Sequence, residues 1–160
     1  MAPDHVLLLP GWQNSGPAHW QSRWEALHGY HRVDQHDWQQ PLRGDWSIQL
    51  EEAILARPGP VALVAHSLGC LLVAAWAAHS RHTGRVRGAL LVAPGDAERP
   101  ELAVPLHSWS PIARQRLPFP SVLVGSRNDP YCRFDRAQGL AADWGARFVD
   151  LGAAGHINAE

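Results

Sequence analysis

The chain has 160 residues, 46% of them hydrophobic, and a formal net charge of −1, values typical of a globular protein and not of a disordered one. This balance gives no electrostatic reason to expect nucleic acid or an anionic membrane as a partner. No apolar segment approaches the roughly 20 residues that span a bilayer, and the N-terminus lacks the features of a signal peptide. We therefore expect one cytoplasmic domain over residues 1–160. All 14 basic residues are arginines, a bias that indicates a GC-rich bacterial genome.

Short apolar runs alternate with segments of helical spacing along most of the chain. In chain order, the pattern predicts a strand at 5–9, a helix at 17–27, a strand at 30–35, a helix at 47–55, a strand at 61–65, a helix at 68–80, strands at 88–92 and 121–124, a helix at 134–144 and a strand at 147–151. Strands this apolar, alternating with helices, are typical of a mainly parallel sheet covered on both faces. The predicted fold class is therefore α/β, with right-handed crossovers.

The first two predicted helices depend on residue spacing and on a cap residue. In the first, Trp20, Trp24 and Leu27 recur at helical spacing and predict the apolar side. In the second, Ser47 is the expected N-cap, and Ile48 belongs to the expected apolar side.

The least regular region runs from residue 94 to residue 120 and carries five prolines after Pro94. It predicts at most a short helix within a long loop. Folds of this class often place substrate-contacting parts in such loops.

Polar side chains with catalytic potential follow three of the predicted strands. Ser67 follows the third strand, Asp129 the fifth and His156 the sixth. In a parallel sheet, ligands bind at the carboxyl ends of the strands, so these residues belong to one edge. Their order along the chain is the one expected for a nucleophile elbow on an α/β-hydrolase sheet.

Two interpretations of Ser67 are compatible with its immediate surroundings, VALVAHSLGC. Ser67 could be only the N-cap of the next helix. Alternatively, it is a nucleophile on a strained strand-to-helix turn, where the residues two before and two after must be small. Gly69 meets that demand, and Ala65 departs from it by one methyl group. Asp129 and His156, after later strands, favour the nucleophile.

Within this hypothesis each residue has a defined role. His156 takes the proton from Ser67 and later delivers it to the leaving group. Asp129 holds the imidazole in the required tautomer and stabilises its charged form. The backbone N–H groups of Leu68 and Trp12 are the expected oxyanion-hole donors.

Several neighbouring residues allow other interpretations. Asp129 lies in Asn-Asp-Pro, which favours a turn without any chemistry, and Asp37 and Asp150 are alternative carboxylates. We interpret His66 as a pocket-wall or packing residue, because adjacent residues at such a turn point apart. The predicted pocket residues are Gln13, Trp38, His66 and Cys132.

The sequence gives no positive sign of a cofactor or metal ion. The H-E-x-x-H motif is absent, and His79 and His82 lack a third ligand. No phosphate-binding glycine motif follows the first strand, which argues against a nucleotide-binding domain. Cys70 and Cys132 do not form a C-x-x-C pair. We expect neither cofactor nor metal.

Five ordered segments together resemble one protein family: LPGWQNSGPAHWQ, HDWQQP, AHSLGC, GSRNDPYC and GHINAE. The resemblance is to the bacterial members of a small serine-hydrolase family in the α/β-hydrolase superfamily, whose animal relative is a retinoblastoma-binding serine hydrolase. It implies a compact α/β-hydrolase with six strands in the order 2-1-3-4-5-6 and helices on both faces. It also implies Ser67, Asp129 and His156 as the triad, and it accommodates Ala65 two residues before the nucleophile.

Two features depart from the family pattern. The sequence ends four residues after His156, whereas relatives usually continue into a terminal segment. An L-x-C-x-E segment is absent from the sequence, so a retinoblastoma-type partner is not expected.

The leading functional hypothesis is a hydrolase of carboxylic esters, or of amides, acting through an acyl-Ser67 intermediate. The segment 94–120 is short for a lid, which favours small or short-chain acyl substrates. The rival hypothesis is a binding or regulatory protein on a retained hydrolase scaffold, because a fold does not fix a function. The expected partner is a small-molecule ester or amide, and the oligomeric state is left open.

Overall fold

The computed structural model describes residues 5–158, which form one six-stranded parallel sheet with helices around it. The strands are β1 (Val6–Leu9), β2 (His31–Arg32), β3 (Val61–His66), β4 (Val86–Val92), β5 (Ser121–Gly125) and β6 (Arg147–Asp150). The helices are α1 (Trp20–His28), α2 (Arg43–Leu55), α3 (Leu68–His79) and α4 (Phe134–Trp144). The sheet order is β2-β1-β3-β4-β5-β6, which confirms the order implied by the resemblance.

Strand β1 shows how the sheet separates two packed layers. Leu7 and Leu9 belong to the main core, which also contains buried side chains of α2, α3 and α4. Val6 and Leu8 belong to a second cluster, against which Trp20 of α1 packs. Successive side chains of a strand point to opposite faces, so a continuous apolar run serves both layers.

Helix α3 is apolar on all sides, and every residue from 68 to 76 is buried. A helix of this kind belongs in the interior and fixes the position of its own N-terminus firmly. None of the helices formed by residues 5–158 has both the length and the apolar character needed to cross a membrane.

Helix α1 differs from its prediction in its start and in part of its buried face. Trp20 and Trp24 pack against the second cluster as predicted. It begins at Trp20, and the side chain of His19 caps it by accepting from the Gln21 N–H. Leu27 is 75% exposed, whereas Gln21 is fully buried. The glutamine side chain tolerates burial because it donates to the carbonyl oxygens of Leu9 and Val64, each at 3.1 Å.

Helix α2 begins four residues earlier than predicted, at Arg43, and Ser47 lies inside it. The Leu42 cap makes no side-chain hydrogen bond. The buried stripe is Trp46, Leu50 and Ile54, while Ile48 is exposed. The predicted apolar side was wrong because the prediction placed Trp46 outside the helix, and Trp46 starts the i, i+4, i+8 repeat.

Strand β2 is much shorter than predicted, with only His31 and Arg32 paired to β1. Its polar side chains suit a short strand at the edge of the sheet, where one side of the ladder has no partner.

The irregular region 94–120 contains two short 3-10 helices, Pro100–Leu102 and His107–Trp109. The region is anchored near its start and near its middle. Arg136 of α4 makes a bidentate pair with Asp96, with both distances 3.0 Å. Trp109 is buried and donates through Nε1 to the carbonyl oxygen of Pro41 at 3.0 Å. This segment is therefore held over the sheet edge as a fixed wall.

Candidate active site

Strand β3 leads into α3 through a single sharp turn at Ser67. The backbone of Ser67 has φ 57° and ψ −119°, a conformation that L-residues rarely adopt. Ser67 occupies the N-cap position of α3, but its hydroxyl makes no capping hydrogen bond. The turn therefore leaves this hydroxyl available to another partner, unlike that of an ordinary serine cap.

Close packing behind the turn requires a glycine at position 69. A Cβ atom there would lie 2.3 Å from the carbonyl oxygen of Leu9 and 3.1 Å from that of Pro10. The crowding group is thus the end of β1, not β3 itself. Ala65 is fully buried within β3, where its methyl group is accommodated.

The structure brings Ser67, His156 and Asp129 together in a hydrogen-bonded series. The Nε2 atom of His156 lies 2.8 Å from the Ser67 hydroxyl oxygen. Its Nδ1 atom lies 2.9 Å from each carboxylate oxygen of Asp129. A carboxylate only accepts hydrogen bonds, so the ring proton belongs on Nδ1, and Nε2 is free to accept from Ser67. This geometry allows proton transfer from the serine to the imidazole.

Two side chains at the end of β5 join the Asp129 turn to the His156 turn. Ser126 Oγ donates to Asn128 Oδ1 at 3.0 Å and accepts from the Ala154 N–H at 3.0 Å. Asn128 Oδ1 also accepts from the Gly155 N–H at 2.7 Å. The sequence analysis missed both residues, although serine and asparagine after a strand are typical turn-stabilising residues.

The loop after β1 passes directly over the Ser67 turn. A Cβ atom on Gly11 would lie 2.9 Å from Ser67 Cβ and 3.3 Å from the Leu68 nitrogen. Within residues 5–158, the backbone N–H groups of Trp12 and Leu68 donate to no acceptor. Gln13 N–H donates to the Trp38 carbonyl oxygen at 3.0 Å, which fixes the path of this loop. Trp12 directly follows Gly11 and Leu68 directly follows Ser67, so both N–H groups belong to the segments that meet at the nucleophile turn.

A cavity of about 280 Å³ opens at the Ser67 hydroxyl. Its wall includes six of the predicted site residues: Trp12, Gln13, His66, Ser67, Leu68 and His156. Eight further lining residues were not predicted: Gly11, Asn14, His19, Gly95, Leu102, Leu106, Tyr131 and Asn158. Among the described residues of the wall, none is an arginine, lysine or carboxylate.

The structure does not bring Trp38 and Cys132 into this cavity. Trp38 packs edge-on against Trp46, with ring centroids 5.4 Å apart, and supports the Gln13 loop through its carbonyl group. Cys132 is buried, and desolvation raises the pKa of its thiol to about 12. It is therefore a neutral thiol and a packing residue.

The alternative carboxylates have partners of their own. Asp150 forms an ion pair with Arg127 through the Arg127 Nε atom at 2.9 Å. Asp37 accepts from the backbone N–H groups of Gln39 and Gln40, each at 2.9 Å. Neither carboxylate hydrogen-bonds to His156.

His66 has both ring nitrogens occupied away from Ser67. Its Nδ1 lies 3.3 Å from His19 Nε2, and its Nε2 lies 2.7 Å from the carbonyl oxygen of His156. His66 is 4% exposed and lines the cavity, in agreement with the pocket-wall interpretation. It is not arranged to act as a base on Ser67.

Some unpredicted wall residues lie next to predicted ones in sequence, such as Asn14 beside Gln13, but others come from a distant loop. Leu102 and Leu106 belong to the region 94–120, and the ring of Tyr131 lies 4.6 Å from that of His156. The proline-rich composition indicated a long loop of the kind that often contacts substrate, but it could not indicate which side chains face Ser67. Within residues 5–158, no three histidine, cysteine or carboxylate side chains cluster as metal ligands.

Comparisons with known proteins identify the family and the fold of this chain. Residues 6–160 match the family described as serine hydrolase. A structure from Pectobacterium atrosepticum, described as a YdeN-like hydrolase, is 32% identical with a TM-score of 0.83, covering 96% of this chain and 80% of that one. The ydeN gene product from B. subtilis is 20% identical with a TM-score of 0.72, covering 96% and 87%.

A more distant structure, a thermophilic esterase from Thermogutta terrifontis, is 14% identical with a TM-score of 0.65, covering 95% of this chain and 82% of that one. At the two lower identities the likeness is one of fold. The comparison with curated proteins gave no match. The family match over nearly the whole chain, together with the fold, establishes the relationship: this chain belongs to the serine hydrolase family of α/β-hydrolase type.

Proposed function

We propose that the chain cleaves carboxylic esters, or amides, of small acyl groups through a covalent acyl-Ser67 intermediate. The observation that carries this proposal is the series from Ser67 through His156 to Asp129, with hydrogen bonds of 2.8 and 2.9 Å. It lies at a cavity beside two N–H groups that have no acceptor within residues 5–158.

The proposed reaction has two balanced steps. His156 Nε2 takes the hydroxyl proton while Ser67 Oγ attacks the carbonyl carbon, and the oxyanion is received by the N–H groups of Trp12 and Leu68. The bond to the leaving group then breaks, and His156 returns the proton to it. Water repeats the sequence on the acyl-serine, releasing the acid and restoring the hydroxyl. Asp129 keeps the imidazole in its Nδ1–H tautomer throughout.

The cavity supports a short, uncharged acyl group as the substrate part next to Ser67. Its volume of about 280 Å³ lies just below the usual range for small-molecule pockets. Leu68, Leu102 and Leu106 supply apolar surface, and no lining residue among those described offers a full charge to pair with an ionised substrate.

A fluorophosphonate probe tests the nucleophile directly. We expect the wild-type protein to be labelled at Ser67, as located by peptide mass spectrometry, and the Ser67→Ala variant to remain unlabelled. A panel of esters of increasing acyl length should show turnover by wild type that declines for long chains. Loss of turnover of about 10⁴-fold or more is expected for Ser67→Ala.

The same experiment separates the enzyme from a binding protein on a hydrolase scaffold. Absence of both labelling and ester turnover in folded wild-type protein would contradict the proposal. A ligand that binds wild type and Ser67→Ala equally, without turnover, would support the scaffold alternative.

A further inference from the structure

The turn that carries His156 is held by hydrogen bonds to the residues before His156 and to the carbonyl groups from His156 onward. On its N-terminal side, the N–H groups of Ala154 and Gly155 donate to Ser126 and Asn128. On its C-terminal side, three successive carbonyl groups accept from residues more than 80 positions away in sequence. His66 Nε2 reaches the carbonyl of His156 at 2.7 Å.

Helix α1 supplies the other two donors on that side. Trp20 Nε1 donates to the Ile157 carbonyl oxygen at 2.9 Å, and the Trp20 backbone N–H donates to that of Asn158 at 3.1 Å. Ile157 itself has φ 54°, an unfavourable conformation for a β-branched residue. Such strain persists only where surrounding contacts enforce it.

The donor role of His66 follows from a series of hydrogen bonds with one possible direction. The Gln21 backbone N–H can only donate, and it points at His19 Nδ1 at 3.0 Å, so Nδ1 carries no proton. A neutral His19 therefore has its proton on Nε2, which faces His66 Nδ1. His66 Nδ1 then acts as the acceptor, and the His66 proton lies on Nε2, facing the carbonyl of His156.

Both histidines are in surroundings that keep them neutral. His19 is 9% exposed and His66 is 4% exposed. Desolvation is the main cause that lowers the pKa of His19 to about 4 and that of His66 to about 3. Near pH 7 each ring therefore has one N–H and one free nitrogen, as the series requires.

We propose that His66, kept in its Nε2–H tautomer by His19, is a positioning residue that holds His156 at hydrogen-bonding distance from Ser67. The hydrogen bond from His66 holds the backbone carbonyl of His156, and the imidazole of His156 contacts Ser67. A displacement of that carbonyl therefore also displaces the imidazole. This inference rests on the proposed function, because it concerns the geometry of the proposed proton transfer.

Two substitutions at position 66 both remove the imidazole ring, but only one of them keeps a donor to the His156 carbonyl. His66→Gln places an amide near the position of Nε2 and can still donate to the His156 carbonyl. His66→Asn places its amide near the position of Nδ1 and falls short of that carbonyl. We expect kcat to fall about 10- to 100-fold in His66→Asn with KM changed less than about threefold, and His66→Gln to recover most of kcat. His82→Asn, the same change at an exposed site, is the control.

Two substitutions at position 19 test whether His19 sets the Nε2–H tautomer of His66. His19→Asn keeps an acceptor for the Gln21 N–H, and hence the α1 cap, but removes the donor to His66. His19→Ala removes both. We expect His19→Asn to lower kcat with little change in thermal stability, and His19→Ala to lower both.

Nitrogen-15 NMR of the ring nitrogens in wild-type protein supplies a readout that does not depend on any variant folding. We expect His66 and His19 as Nε2–H tautomers and His156 as Nδ1–H. An Nδ1–H or doubly protonated His66 at pH 7 would overturn the inference, as would equal kcat in wild type and His66→Asn. Wild-type labelling at Ser67 is measured in parallel. Labelling without these effects overturns only the positioning role, and absent labelling overturns the proposed hydrolase.

Discussion

The two halves of the candidate site, the Ser67 turn and the His156 turn, are built in different ways. The Ser67 turn is formed by the buried strand before it and the buried helix after it, and Gly69 packs tightly against the end of β1. The His156 turn follows the exposed edge strand β6 and depends on donors from β3 and α1 and on acceptors that follow β5.

This difference has a physical consequence. Close packing fixes the nucleophile turn, so damage there is expected to lower stability as well as activity. Hydrogen bonds from distant segments fix the histidine turn, so damage there is expected to alter geometry and activity more than overall stability. The following predictions test this contrast, from the largest expected effect to the smallest.

Asp129→Asn should have the largest effect on activity with little effect on stability. An asparagine amide in place of the carboxylate favours the wrong imidazole tautomer, and the comparable change in a serine protease lowers kcat by about 10⁴-fold. Ester turnover and urea unfolding of the variant measure the two quantities. Turnover within about tenfold of wild type would contradict the assignment of Asp129.

Gly69→Ala should lower both activity and stability. The added Cβ would lie 2.3 Å from the Leu9 carbonyl oxygen, so backbone must move, at a free-energy cost of about 1–3 kcal/mol. Gly139→Ala in α4 is the matched control, since no atom lies within 4 Å of the Cβ position there. The control should be neutral or slightly stabilising. Equal unfolding free energies for the two variants would contradict the inference that close packing requires a glycine at position 69.

The neutral state of His66 predicts a pH dependence of stability. Its pKa in the folded protein is about 3, below the ordinary value of 6.5, so below pH 6.5 the unfolded chain binds a proton that the folded protein does not. This group therefore lowers the free energy of unfolding as the pH falls from 6.5 towards 3, by about 1.4 kcal/mol per pH unit.

Urea unfolding of wild type and His66→Gln at several pH values between 6.5 and 4.5 measures this contribution. The variant lacks the titrating ring, so its stability should fall less steeply, by about 1.4 kcal/mol per pH unit near pH 5. Parallel curves for the two proteins would show that His66 does not titrate as inferred.

Trp20→Phe should have the smallest effect. It removes the Nε1 donor to the Ile157 carbonyl while retaining an aromatic ring on α1. One of three carbonyl contacts is lost, so we expect kcat to fall about three- to tenfold, with an unfolding free energy lowered by about 1 kcal/mol. Trp24→Phe on the same helix serves as control, and identical kinetics of the two variants would contradict a role for this donor.

Local patterns carried most of the fold prediction. The apolar runs located β3, β4 and β5 nearly to their observed bounds, and the rule for parallel sheets put Ser67, Asp129 and His156 at one edge. Their catalytic roles remain predictions. The burial of Gln21 in α1 was missed because glutamine looks like a surface residue, and only the carbonyl groups of distant strands make its burial favourable.

The sequence by itself determined the parallel α/β sheet, the nucleophile turn and the three residues that follow its strands at one edge, because short-range periodicity and small residues at fixed spacing encode them. The strand order was implied by the resemblance to a known family. Only the tertiary structure decided that His19 and His66 form a series of hydrogen bonds that ends at the His156 carbonyl group. It also decided that Leu102 and Leu106 line the cavity and that Trp38 does not. Those relations join segments separated by tens of residues. Hydrogen bonds of this range leave no periodic trace in the chain, because their partners are chosen by packing in three dimensions.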